Sequence, residues 1–143
     1  MTAKQYLKKA KRIDAFIKAK NEELEELRAK STSVGSFELS PDKVQTSNNS
    51  ESRIENDVVN IIECEERIKR AIQDYILLKD EINDKIEEIE CDDFRLILQL
   101  RYLNQKDWET IAIEMNFSYS HTLSLHKQAL DAFEEKHHDF LCS

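Results

Sequence analysis

DWETIAIEMNFSYSHTLSLHKQALDAF, residues 107–133, is the stretch from which the rest of the chain is read. Asp107 is suited to cap a helix, and Trp108, Ile111, Ala112 and Met115 then recur at helical spacing on one face. Asn116 follows at once, and asparagine tolerates the left-handed backbone that ends a helix, although glycine is the usual choice there. Phe117 is expected to plug the corner, and Ser118 to cap a second helix. In that helix Thr122, Leu125, His126, Ala129 and Phe133 form an inward stripe, while Ser120, Ser124, Lys127 and Gln128 point outward. A short helix, a tight corner and a second helix form a helix-turn-helix, the geometry that presents a recognition helix to the DNA major groove.

Working outward, Phe94, Leu96, Ile97, Leu98, Leu100, Tyr102 and Leu103 make a strongly apolar helix just upstream. It is the expected scaffold for the pair, with Leu96 and Leu100 joining Trp108, Ile111, Phe117 and Leu125 in a trihelical core. Cys91-Asp92-Asp93 is read as its start, because aspartate prefers a helix cap to a helix interior. The module then spans 92–136, and 137–143 is a short tail.

Upstream of the break lies the longest element, over 53–90, opened by Ser52 and Glu55 in a capping-box relation. Ile54, Val58, Ile61, Glu65, Ile68, Ile72, Tyr75, Lys79, Ile82, Ile86 and Ile89 alternate four- and three-residue steps, a heptad seam. The apolar members are the expected oligomerisation surface, with Ile62, Ile76 and Leu78 widening the face for a second chain. Glu65 and Lys79 interrupt the seam and either fix its register or mark where it becomes exposed. Residues 1–30 form an amphipathic helix with Tyr6, Leu7, Ala10, Ile13, Ile17, Leu24 and Leu27 on its apolar side, able to fold back on the long helix as an antiparallel hairpin. Lys4, Lys8, Lys9, Lys11 and Arg12 crowd its first half and read as a solvated outer face, with phosphates or an anionic membrane as the sharper alternatives. Between the helices, 31–52 holds the only Gly (Gly35), the only Pro (Pro41) and many Ser, Thr and Asn, and reads as a linker. The fold expected is all-α: a long helical hairpin followed by a trihelical module.

The stretch RYLNQKDWETIAIEMNFSYS at 101–120, with Leu125-His126 and Ala129-Leu130, resembles the C-terminal part of small late-gene transcription regulators of phages and prophages. Their helix-turn-helix is similar to the promoter-reading region four of bacterial sigma factors. The resemblance extends to MTAKQYLKKAKRIDAFI at 1–17, the Ser-rich insert and the long helix, nearly the whole chain. It implies promoter or operator reading in a bacterial host cytoplasm, with double-stranded DNA as partner and RNA polymerase or another protein as a further one. Relatives of this kind carry Arg and other basic or aromatic residues on the outer face of the recognition helix. Here stand Ser120, His121, Leu123, Ser124 and Gln128, a departure that touches the DNA contact and not the fold.

Charge sharpens that point. Of 21 Lys and Arg against 29 Asp and Glu, residues 1–30 hold nine against five, and residues 92–143 hold five against nine. A net charge of −8 argues against a general polyanion binder and leaves the first helix as the one basic segment. Phosphate contacts are expected from Lys127, Lys106, Arg101 and the lysines of the first helix, and base contacts from Ser118, Tyr119, Ser120, His121, Ser124 and Gln128. Cys64, Cys91 and Cys142 have no paired spacing and fit thiols in a reducing cytoplasm. No apolar run is long enough to span a membrane or to form a secretory signal.

No catalytic constellation stands out, so the chain is expected to act by binding and not as an enzyme. One Gly rules out a Gly-rich phosphate loop, and no cofactor is expected. His137, His138 and Cys142 lack the four-ligand frame of a zinc site. His126 is expected as a hydrogen-bonded buffer between core and surface. Two other readings compete with DNA regulation: a coiled-coil protein-interaction factor that does not bind DNA, and a packaging component like a small terminase subunit.

Overall fold

A computed structural model describes residues 1–37 and 49–143, with side chains for 1–32 and 55–143. The chain is all-α, with no strand among the described residues. Its helices are α1 (Ala3–Leu7), α2 (Lys9–Phe37), α3 (Asn49–Glu87), α4 (Asp92–Leu98), a π turn (Gln99–Leu103), α5 (Trp108–Met115), α6 (Tyr119–Lys136) and α7 (His138–Cys142). The chain divides into two units: one made of Met1–Ala15 and Ile76–Ser143, the other of Phe16–Tyr75.

The first unit is built around α6. Thr2 and Gln5 form a reciprocal capping box that starts α1 and lays Ala3, Tyr6 and Leu7 inward. The Tyr6 ring then stacks on Phe133 of α6 at 5.9 Å and meets Phe140 edge-on at 5.2 Å. Ile82, Ile86 and Ile89 come from α3 and the turn after it, and Ile97 and Leu98 from α4, and all are buried. Phe133, Leu7, Ile86, Ile97, Leu98 and Ile111 are completely or almost completely out of solvent, which marks where the core lies.

Several boundaries differ from those read in the sequence, each for a local reason. The helical backbone turns at Lys8, separating α1 from α2, and α2 runs on to Phe37, through positions expected to belong to a linker. Within that extension the Thr32 hydroxyl donates to the Arg28 carbonyl at 3.0 Å, so a residue with turn chemistry is accommodated inside the helix. α3 begins at Asn49, which puts Ser52 inside the helix and not at its cap. Residues 38–48 of the expected linker, with Leu39 and Val44, lie outside the described residues.

α3 ends at Glu87, and the chain restarts at Asp92 with Cys91 extended before it. Asp92 and Asp93 occupy the first turn of α4, where carboxylates oppose the positive end of the helix dipole. Because the helix restarts with its own phase, Leu96 misses the trihelical core in which it was expected. Leu96 is 43% exposed, and Ile97, Leu98, Leu100 and Tyr102 face inward instead. The tail, expected to be a mere extension, forms α7: Leu141 is buried, and the His137 ring packs on Phe133 at 4.6 Å.

In the second unit the Phe16 ring lies flat on Tyr75 at 5.3 Å, and Arg28 reaches Glu65 at 3.4 Å. Leu24 and Ile68 are buried there. Glu65, one of the two seam interruptions, also pairs with Lys69 at 3.1 Å, and these partners, Lys69 first, hold its carboxyl below the usual range. The other, Lys79 in the first unit, donates to Asp14 at 2.7 Å. Each interruption thus has an ionic partner on the neighbouring helix.

Candidate nucleic-acid interface

The stretch 107–133 forms two helices with a left-handed corner. The Asp107 carboxylate accepts from Thr110 N–H at 2.8 Å, and Thr110, through its side chain first and then this backbone bond, holds its pKa down. α5 ends at Asn116, with φ 59° and ψ 41°. Phe117 N–H donates back to Ala112 O at 3.0 Å and Asn116 N–H to Ile113 O at 3.2 Å, the paired closure that glycine-ended helices use. Ser118 Oγ then accepts from His121 N–H at 3.2 Å and starts α6.

α6 divides cleanly into two faces. Thr122, Leu125, His126, Ala129 and Phe133 are buried, in the pattern expected from their spacing. Ser118, Tyr119, Ser120, His121, Ser124, Lys127 and Gln128 are all exposed along the opposite side. His121 is braced edge-on against Phe117 at 4.6 Å, which leaves Phe117 half-buried and fixes the angle at which the start of α6 projects. The exposed side therefore offers hydroxyl, phenol, imidazole and amide groups, with one cation.

The other expected phosphate ligands are already engaged. Lys106 is ion-paired with Glu114. Arg101 lies 4.5 Å over the Trp108 ring and donates to Lys106 O at 3.1 Å, so its guanidinium is held in one orientation. Beneath it Trp108 meets the His126 ring edge-on at 4.4 Å, and His126 Nε2 and the Tyr102 hydroxyl share a hydrogen bond of 2.7 Å. Burial first, then Lys4 and Arg101, push the His126 pKa down to about 4. Burial raises the Tyr102 hydroxyl to about 12. His126 is thus the buried, hydrogen-bonded group its position suggested. Its partner was not legible, because Tyr102 is aimed by the π turn, in which Asn104 N–H bonds Gln99 O at 2.9 Å.

Beside this cluster the first unit has a cleft of about 770 Å³. Lys4, Lys8, Lys11, Arg12 and Arg101 line it, and no carboxylate does. Its remaining wall is Tyr102, Gln105, Trp108, His126 and Leu123, the last of these on α6. Reading the lysines of the first helix as a solvated face missed this concavity. The sequence signal was there: residues 4, 8, 11 and 12 recur at helical spacing on one side.

Elsewhere the structure redistributes the expected sites. Of the oligomerisation positions, Ile68, Ile82, Ile86 and Ile89 are buried within the chain, and Ile61, Ile72 and Tyr75 are half-buried. The four buried residues are covered by the chain's own helices. Val58 is 41% exposed, and the side chain of Ile54 lies outside the described residues. Larger exposed apolar residues on α3 are Val59 and Ile62 in one unit and Ile76, Leu77 and Leu78 in the other. His137 turns inward, its Nε2 2.8 Å from Lys85 O, while Cys142 and His138 are exposed. No helix among the described residues is long and apolar enough to cross a membrane.

One family model, described as protein of unknown function (DUF1492), matches residues 33–134, more than half of the chain. That stretch contains α3 through most of α6, whereas the four cations of the first helix precede it. No curated protein and no solved structure matches the chain.

Proposed function

The chain belongs to the family described as protein of unknown function (DUF1492), and from that premise we propose that it is a DNA-binding transcription regulator of phage type that reads a promoter or operator in the manner of sigma region four. It acts by binding, without a catalytic step. The observation that carries this reading is the α5–corner–α6 pair, whose closure at Asn116 and cap at Ser118 project a mainly polar side of α6, with Leu123 exposed among its polar groups. On this reading Ser118, Tyr119, Ser120, His121 and Ser124 face base edges from the start of α6, while Lys127 lies toward phosphates. Site preference then comes from neutral donors and acceptors, and bulk affinity from cations outside α6. Titration of the full chain against its own upstream DNA and against an unrelated duplex tests this. Tighter binding to the former, reduced by Ser120→Ala or Ser124→Ala, is the expected result, and equal affinity for both sequences refutes it.

A second reading, a protein-interaction factor, is favoured by the exposed Val58, Val59 and Ile62, and separately by Ile76, Leu77 and Leu78. The two readings meet if α3 recruits a partner, another copy or RNA polymerase, that adds to a weak DNA contact.

A further inference from the structure

We propose that the cleft between the first helix and the α5–α6 pair is a phosphate clamp, which takes the sugar–phosphate backbone of the duplex whose groove α6 reads. This rests on the DNA-binding reading and adds to it the group that supplies affinity. Lys4 lines the cleft from α1, Lys8 from the turn after it, Lys11 and Arg12 from α2, and Arg101 from the π turn. Among the described residues none of the five is ion-paired with a carboxylate. The nearby acids are occupied: Asp14 takes Lys79 and the Gln105 amide, and Asp107 caps α5. The charge is therefore uncompensated, and Arg101 is preorganised by Trp108 and the Lys106 carbonyl. His126 lies in the same wall, and after burial it is Lys4 and Arg101 that hold its pKa down.

Duplex backbone suits this site better than a small aromatic anion. Trp108 and His126, the rings that a nucleobase would stack on, already pack against each other, and Arg101 covers Trp108. The polar wall belongs to long exposed side chains that suit a row of phosphates. Leu123 joins the wall from α6, between the exposed Ser120, Ser124 and Lys127, so a strand lying in the cleft runs alongside the reading face. The carboxyl-terminal segment has a deficit of cations, and this arrangement offsets it with residues from the other end of the sequence.

Trp108 is the only tryptophan and sits in the cleft wall, so its emission reports occupancy. The experiment titrates the full chain with an arbitrary duplex of roughly two helical turns, or with tripolyphosphate, at salt between about 50 and 200 mM. Wild type is expected to bind the duplex with a change in Trp108 emission. The variant with Lys4, Lys8, Lys11 and Arg12 all changed to Gln should bind at least about tenfold more weakly, with a salt slope smaller by about three to four. Lys18→Gln, a charge change outside the cleft, should leave the slope as it is. If the fourfold variant loses helicity, Lys8→Gln and Lys11→Gln singly carry the test, each lowering the slope by about one. Wild-type binding with an unchanged slope in these variants overturns the clamp and leaves the DNA reading standing. A Trp108 response to tripolyphosphate without duplex binding makes the cleft a small-anion site, and response to neither probe leaves it unused. Either of these last two results overturns the clamp, and the DNA reading is then decided by the titration against the chain's own upstream DNA.

Discussion

His126 is neutral at physiological pH because it is enclosed, not because it is remote from protons. Its folded value of about 4 lies below the ordinary value of about 6.5, so between the two the unfolded chain binds more protons. Stability therefore rises with pH across that window and is lost as pH falls from about 6.5 toward 4. His126→Gln keeps a polar group against Tyr102 and removes the titration. Its melting temperature should change less than wild type's between about pH 7 and pH 5. A wild-type profile as flat as the variant's would show that His126 is not held neutral by the fold. The inward placement of His126 was readable from its spacing with Leu125 and Ala129, a purely local matter. That Tyr102 meets it depends on five residues adopting a wider turn, for which the local sequence carries no periodic signal.

At the scale of elements, the caps were the most legible features. Asp107, Asn116 and Ser118 each do what their side chains favour in isolation. Because Asn116 sits at φ 59°, Asn116→Gly should hold or raise the melting temperature, and Asn116→Val should lower stability by about 1–2 kcal/mol. The reverse order in thermal melts would contradict the left-handed corner. Less legible was which apolar residue reaches the core, since helix phase is reset at breaks that only tertiary packing fixes. Phe117 was expected to be the central plug. It is half-buried, whereas Phe133 is fully enclosed between α1 and α7. Phe133→Ala should cost about 3–5 kcal/mol, and Phe117→Ala should cost clearly less. Denaturant midpoints compare them directly. The tail escaped sequence reading because five residues carry too little periodicity to announce a helix, yet Phe140 packs edge-on against Tyr6 and Leu141 is buried.

For the whole molecule, segments distant in sequence prove inseparable. Residues 92–136 looked like a self-contained module, but Tyr6, Leu7, Ile82 and Ile86 complete its core. A fragment starting at Asp92 should therefore lack cooperative thermal unfolding, and sharp melting by that fragment would refute the shared core. The same burial separates two classes of α3 substitution. Ile82→Lys, at a position 2% exposed, should unfold the first unit. Leu77→Lys, at one 58% exposed, should leave stability within about 0.5 kcal/mol while reducing any self-association seen in sedimentation. Loss of fold in both would mean that Leu77 is also internal. The heptad pattern identified the apolar positions of α3, and the tertiary structure decides which of them face inward.

A core that joins Tyr6 to Phe133 also sets a timetable. On the ribosome, α1 emerges early and its partner on α6 late, and at about 5–20 residues per second the interval is on the order of ten seconds. Throughout it Tyr6 and Leu7 have no α6 to cover them, and the first unit cannot assemble. The second unit, contained within Phe16–Tyr75, has all of its chain available well before then. Synthesis thus delivers the two units in a fixed sequence, and the nascent chain carries an uncovered apolar helix face until α6 leaves the exit tunnel.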